Sequence, residues 1–196
     1  MNDQPKTPPA AEDWSAELEE LAFRRAEAAR LGGDAAVARH HEQGRLTIRE
    51  RIAGLADPGS FHEIGGLTGQ GRYDGDRLVG VTPAPYVMGL AEIDGRPVAI
   101  GGEDFTIRGG VSWSGDRKKG GQGGFVEDMA ASYRIPLVNL IDGAGGSVAS
   151  ITRRGHAVFP GVHGFERSVE LMGKVPVVCA VLGTAAGGPA GRAILS

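Results

Sequence analysis

Two apolar runs constrain this chain more than any other feature: residues 136–142 (PLVNLID) and 175–183 (VPVVCAVLG). Both are nearly continuous, without the alternation of a half-exposed strand. They therefore read as strands covered on both faces. Helical periodicity over about 164–173 lies between them, which makes a βαβ unit with a right-handed crossover. Each run passes straight into glycines, as Asp142-Gly143-Ala144-Gly145-Gly146 and as Gly183-Thr184-Ala185-Ala186-Gly187-Gly188. Glycine accounts for 33 of 196 residues, over twice the usual ~7%. It clusters at the ends of apolar runs, where the backbone must turn sharply or lie close to something.

The remainder of the pattern is organised around that unit. Residues 1–13 are polar and proline-rich and read as a flexible tail. Ala16, Leu18, Leu21, Ala22, Ala26 and Ala29 recur at helical spacing, with a left-handed stop expected at Gly32-Gly33. Leu18, Leu21 and Leu31 give that helix an apolar stripe, which predicts packing on the core or on a second subunit. Asp34 is expected to cap a second short helix ending at Gly44. Thr47 and Glu50 form a capping box that starts a third, and Asp57-Pro58-Gly59-Ser60 closes it as a turn. Residues 14–56 thus form a helical arm, and 57–196 the α/β body. Asp94-Gly95, between the apolar stretches 86–93 and 96–100, signals a two-residue β-hairpin. A basic, glycine-rich loop then runs from Arg108 through Arg117, Lys118 and Lys119 to a helix at about 124–134.

Several functions are excluded or disfavoured. A formal net charge of −3 gives no electrostatic footprint for nucleic acid. No apolar run reaches the ~18–20 residues of a membrane span, and no secretory h-region is present, so a cytoplasmic location is expected. One cysteine excludes a disulfide framework and a cysteine-rich metal site. There is no P-loop, no spaced GxGxxG and no GxSxG elbow. His40 and His41 are adjacent on a helix, point about 100° apart and read as surface residues. Cys179, inside an apolar run, reads as a small buried thiol and not a nucleophile.

What remains is the pair of glycine turns and the basic loop. A glycine-rich strand-to-helix turn exposes consecutive backbone N–H groups that can bind a phosphate or a developing oxyanion. It can equally be a tight turn with close packing. Two such turns on neighbouring strand ends favour a site, because open α/β sheets bind ligands at that edge. The basic loop is either a solvated charge run or a recognition element for a polyanion such as the phosphates of CoA.

Four segments, in order, resemble the carboxyltransferase (β) subunits of biotin-dependent acyl-CoA carboxylases of the propionyl-CoA and methylcrotonyl-CoA type. They are GRLTIRERIAGLADPGSFHEIG at 44–65, EDFTIRGG at 103–110, LIDGAG at 140–145 and LGTAAGGPAG at 182–191. The resemblance extends over about 14–196. It implies a crotonase-like α/β fold of stacked ββα units in a spiral, here as an incomplete N-terminal carboxyltransferase domain carrying a helical arm. It implies transfer of a carboxyl group from biotin N1 to the α-carbon of an acyl-CoA. Backbone N–H pairs would stabilise the transient oxyanions, biotin itself would serve as base, and no metal would be needed. On that resemblance the thioester-side glycine turns are Gly145 with Gly146 and Gly187 with Gly188. The CoA contacts are Asp104, Phe105, Thr106, Arg108, Gly109 and Gly110, with Lys118 and Lys119 from the basic loop. The implied partners are acyl-CoA, a biotin carboxylase with its biotin carrier subunit, and either a C-terminal carboxyltransferase half or further copies in a homo-oligomer.

The chain departs from the family in being much shorter, lacking the biotin-receiving half, and in reading DGAGGS where some members have DGAGAR. The chain alone is therefore expected to be inactive. The alternatives are an inactive truncated paralogue that binds acyl-CoA or serves assembly, a CoA-ester decarboxylase subunit of the same superfamily, and a degraded product without a stable fold.

Overall fold

A computed structural model describes residues 13–111, 124–146, 152, 155–156 and 162–196, with side chains in the last segment from 166 onward. Helix α1 (Ser15–Ala29) leads to α2 (Asp34–Glu42) and α3 (Ile48–Leu55). The left-handed stop after α1 falls at Leu31 (φ 56°), one residue before the predicted glycine pair; Gly33 (φ 89°) follows it. A leucine tolerates this conformation, at a cost of roughly 1–2 kcal/mol, because its side chain is buried among Ile48, Ile52, Val87 and Ile100. Gly32 is needed for a different reason. A Cβ there would lie 2.2 Å from the Thr106 carbonyl oxygen, so the chain can pass only without a side chain.

Asp34 is not the cap of α2. Gly33 takes the N-cap position with its positive φ, and Asp34 sits in the first turn with its carboxylate 3.3 Å from Arg30. The capping box of α3 is present. The Glu50 N–H donates to Thr47 Oγ1 at 3.4 Å, and the Thr47 N–H donates to Glu50 Oε2 at 2.7 Å. His40 corrects the surface reading: it is buried, its Nε2 3.1 Å from the Leu46 carbonyl, while His41 is exposed and pairs with Glu50. Of the predicted stripe on α1, Leu31 is buried, Leu21 is half-buried and Leu18 is exposed. The helix itself lies along β3 (Arg77–Pro83), and its Arg24 reaches the hydroxyl of Tyr73 on the neighbouring strand at 2.6 Å.

The main sheet has the order β1-β4-β5-β6-β7, with β1 (His62–Glu63), β4 (Tyr86–Ile93), β5 (Arg96–Glu103), β6 (Leu137–Gly143) and β7 (Val177–Ala185). Strand β2 (Gly69–Asp74) pairs with β3 as a separate hairpin. The β4–β5 hairpin turns at Asp94 (φ 51°) and Gly95 (φ 70°), the two left-handed residues that such a turn requires. Asp57 secures it, accepting the Asp94 N–H at 3.0 Å and the Gly95 N–H at 2.8 Å. From β5 onward the strands are parallel, with α4 (Phe125–Tyr133) between β5 and β6 and α5 (Val162–Met172) between β6 and β7. The predicted βαβ unit is therefore present and is preceded by a second. Helix α6 (Gly188–Ile194) follows β7.

One apolar layer, with Ile48, Ile52, Val87, Val98 and Leu140, lies between α3 and the sheet. Another, with Met88, Ala99, Val126, Ala130 and Leu171, lies beneath α4 and α5. Strand β6 is enclosed as predicted, whereas β7 is not. Val178 is 55%, Val181 53% and Leu182 43% exposed, because β7 is the edge strand of the described sheet. No helix among the described residues is long and apolar enough to cross a membrane.

Candidate functional site

Parallel pairing brings three loops to one edge of the sheet: residues 104–110 after β5, 144–146 after β6 and 186–188 after β7. Backbone bonds stitch them together. The Ala144 N–H donates to the Gly109 carbonyl at 2.8 Å, and the Ala186 N–H donates to the Gly143 carbonyl at 3.1 Å. The two glycine turns touch. A Cβ on Gly145 would stand 2.1 Å from the Ala186 oxygen, and one on Gly187 would stand 3.4 Å from Gly145 Cα. Both residues have positive φ (73° and 59°), so glycine is required there by conformation, and at Gly145 by space as well.

The N–H groups of these turns are not equivalent. Gly146 donates back to Ala144 O at 2.8 Å and so closes its own turn. Among the described residues, the N–H groups of Gly145, Gly187 and Gly188 have no acceptor. The contact between the turns places the Gly145 and Gly187 backbones side by side, with Gly188 next in sequence, and the rim of this patch at Gly146 and Gly187 is open to solvent. Such a patch can hold a carbonyl oxygen that is gaining negative charge.

The loop after β5 is built from inside. Asp104 is buried; its Oδ1 accepts the Thr106 N–H at 3.0 Å and the Thr106 hydroxyl at 2.5 Å, while Oδ2 has no hydrogen-bond partner among the described residues. Burial pushes this carboxyl above its ordinary range, and the Thr106 bonds pull the other way. Thr106 Oγ1 also accepts the Gly32 N–H at 2.9 Å, which latches the end of α1 to the loop. Phe105 stacks on His40 with centroids 6.0 Å apart and lies beneath the Arg45 guanidinium at 5.5 Å. Arg108 is exposed in a left-handed conformation (φ 53°), Gly109 is half-buried and Gly110 is buried. Lys118 and Lys119, with Arg117 and Trp113, lie outside the described residues. On the outer side of the loop, an open cleft of about 360 Å³ is lined by Arg30, Gly32, Val81, Pro83, Thr106 and Arg108.

Under the turns lies a set of charged residues that sequence reasoning missed. Arg51 Nη2 meets Asp142 Oδ2 at 2.8 Å, with both side chains buried. Glu103 pairs with the buried Arg192 and accepts the Asp142 N–H at 3.4 Å. Arg192 also lies over the Tyr86 ring at 5.6 Å. Burial pushes the Tyr86 hydroxyl's pKa up, against the opposing pull of the Arg192 charge. One signal was present: Arg51 falls three residues after Ile48 and next to Ile52, on the face of α3 that must enter the core. Cys179 is half-buried, and burial pushes its thiol up, which does not suit a nucleophile. No group of three or more metal-ligating side chains occurs among the described residues.

The carboxyl transferase domain family matches residues 39–196. A propionyl-CoA carboxylase carboxyltransferase subunit of Haloferax mediterranei is 31% identical over 176 residues, 87% of this chain and 32% of its own. A propionyl-CoA carboxylase beta chain of Saccharopolyspora erythraea is 32% identical over 190 residues, 94% of this chain and 33% of its own. Among solved structures, the transcarboxylase 12S hexamer with methylmalonyl-coenzyme A bound has a TM-score of 0.69 at 28% identity, covering 95% of this chain and 35% of that one. A single-chain, multi-domain long-chain acyl-CoA carboxylase has a TM-score of 0.72 at 29% identity, covering 94% of this chain and 19% of that one. The neighbours share the crotonase-like α/β architecture expected from the sequence. The chain spans about a third of the length of the curated relatives it matches.

Proposed function

Because this chain belongs to the carboxyl transferase domain family, matched over residues 39–196, we propose that it is the acyl-CoA-binding part of a biotin-dependent acyl-CoA carboxyltransferase. In this reading residues 14–56 are its arm and 57–196 its thioester-binding body. The observation that carries the proposal is the contact between the two glycine turns, whose Gly145, Gly187 and Gly188 N–H groups have no acceptor among the described residues. Carboxybiotin, delivered by a partner carrier, supplies the carboxyl group and the base. The protein's own part is to seat the thioester carbonyl oxygen on the Gly145, Gly187 and Gly188 N–H groups. As the α-carbon loses its proton, charge moves to that oxygen and these bonds strengthen. Losing one donor of this kind typically costs ~10²–10³ in rate.

The loop 104–110 is proposed to carry the CoA portion, with Thr106 and Arg108 facing the adjoining cleft and Lys118 and Lys119 contributing charge to the phosphates. A biotin carboxylase with its carrier subunit, a C-terminal carboxyltransferase half and oligomerisation complete the proposed assembly, located in the cytoplasm. Calorimetric titration of the folded chain with propionyl-CoA tests the proposal. Binding that weakens as salt screens the phosphate contacts is expected. No heat of binding at low salt would overturn it.

One observation favours a second reading. The Gly146 N–H is closed within its own turn, so one of the expected donors is engaged. A binding or assembly module without catalysis would tolerate that. Acyl-CoA binding that persists without carboxyl transfer in a complete assembly would support this reading.

A further inference from the structure

Between Ile141 and Gly143 the pairing of β6 with β7 breaks register. Ile141 faces Val181 and Gly143 faces Ala185, so two steps along β6 are matched by four along β7. Leu182, Gly183 and Thr184 thus stand opposite the single residue Asp142, a bulge with two extra residues. A bulge of this kind leaves backbone groups unpaired, and two buried side chains take them up. Asp142 Oδ1 accepts the Thr184 N–H at 3.0 Å. Arg51 Nη2 donates to the Leu182 carbonyl at 3.4 Å and to Asp142 Oδ2 at 2.8 Å. Gly183 lies against the same carboxylate, since a Cβ there would stand 2.2 Å from Asp142 Oδ1. Asp142 is fully buried, and Arg51 comes from α3, which Ile48 and Ile52 anchor in the core.

We infer that Arg51 and Asp142 are positioning residues: together they clamp the β7 bulge and thereby set the spacing between the two glycine turns. The inference rests on the proposed reading of those turns as the thioester site. Its logic is a short chain of contacts. The bulge fixes where β7 regains its partner at Gly143, Ala186 then donates to the Gly143 carbonyl, and Gly187 is set against Gly145. Slippage in the bulge moves the Gly187 and Gly188 donors relative to Gly145. An oxyanion patch is sensitive to small shifts, because a misplacement of about 1 Å can cost roughly a hundredfold in rate. The first helix of the family-matched region after α2 thus reaches the site without touching the ligand.

The test uses the full chain and two variants. Arg51→Met/Asp142→Leu removes both buried charges together, an exchange that is often neutral or stabilising where removal of one partner is not. Gly183→Ala keeps both charges but pushes the carboxylate out of the bulge. Thermal melting checks folding. Hydrogen–deuterium exchange is then followed over residues 182–188, and propionyl-CoA affinity is measured by calorimetry. In folded variants, exchange at 182–188 should accelerate by about tenfold or more and propionyl-CoA affinity should fall below that of the wild type, with exchange in β4 and β5 unchanged. A folded variant with wild-type exchange at 182–188 overturns the clamp. So does faster exchange there with wild-type affinity, since a merely structural bulge filler would behave in that way. If the double variant does not fold, Gly183→Ala decides by the same readings. If the wild type itself binds no propionyl-CoA, the thioester reading fails while exchange still judges the clamp.

Discussion

Glu50 holds one carboxylate between two partners, the Thr47 backbone N–H at 2.7 Å and His41 Nε2 at 2.9 Å. These bonds, that from His41 foremost, hold its pKa at about 2 instead of the ordinary 4.5. A depressed carboxyl stabilises the fold above its ordinary pKa, and that contribution is lost as pH falls from about 4.5 towards 2. Thermal melts across this range should show it, and Glu50→Gln should flatten the dependence and lower stability at neutral pH. High salt should narrow the difference, because both side chains are substantially exposed. Thr47→Ala removes the other half of the box and should cost about 0.5–2 kcal/mol in urea unfolding. The Thr47–Glu50 pair was legible from sequence because a capping box is a rule of local spacing. The burial of His40 was not, since it depends on Phe105 arriving from 65 positions further along the chain.

At the scale of elements the same division holds. The β4–β5 hairpin, the β6–α5–β7 unit and the start of α3 follow from turn residues and apolar runs, and all three are present. The half-exposed state of β7 could not be read from its composition, because an edge strand and a central strand can carry the same valines. Nor could the left-handed Leu31, whose conformation is offset by tertiary burial. The glycine turns were legible as turns, but their mutual contact and the Arg51–Asp142 pair beneath them were set by sheet register. Helix α3 joins these levels, with Ile52 in the core and Arg51 beside it at the site. Ile52→Ala should destabilise the chain by about 2–5 kcal/mol, read by denaturant unfolding. Deleting residues 1–33 removes Leu31 from the core and unlatches Gly32 from Thr106. That deletion should lower the melting temperature and weaken propionyl-CoA binding together. Unchanged values for both would show that the arm is idle.

For the whole molecule, the controlling fact is that the chain spans about a third of its relatives' length. Carboxyl transfer needs one oxyanion site for the thioester and a second for the biotin carbonyl, held so that the two substrates meet. The proposed site, built on Gly145, Gly187 and Gly188, serves only the thioester. Positioning two reactants can contribute roughly 7–11 kcal/mol to lowering a barrier, and a single missing oxyanion donor costs ~10²–10³ in rate. The 196-residue chain, given biotin carboxylase, loaded carrier and propionyl-CoA, should therefore show no transfer of labelled bicarbonate into acid-stable product. Adding the C-terminal two-thirds of a homologous subunit in trans should restore transfer if the two parts assemble. In that complex, Gly188→Val should abolish turnover by crowding the N–H groups of the glycine turn, while leaving the CoA-facing loop intact and binding only weakened. Label incorporation by the isolated chain would falsify the division of labour, and restored transfer unaffected by Gly188→Val would remove the glycine turns from the reaction.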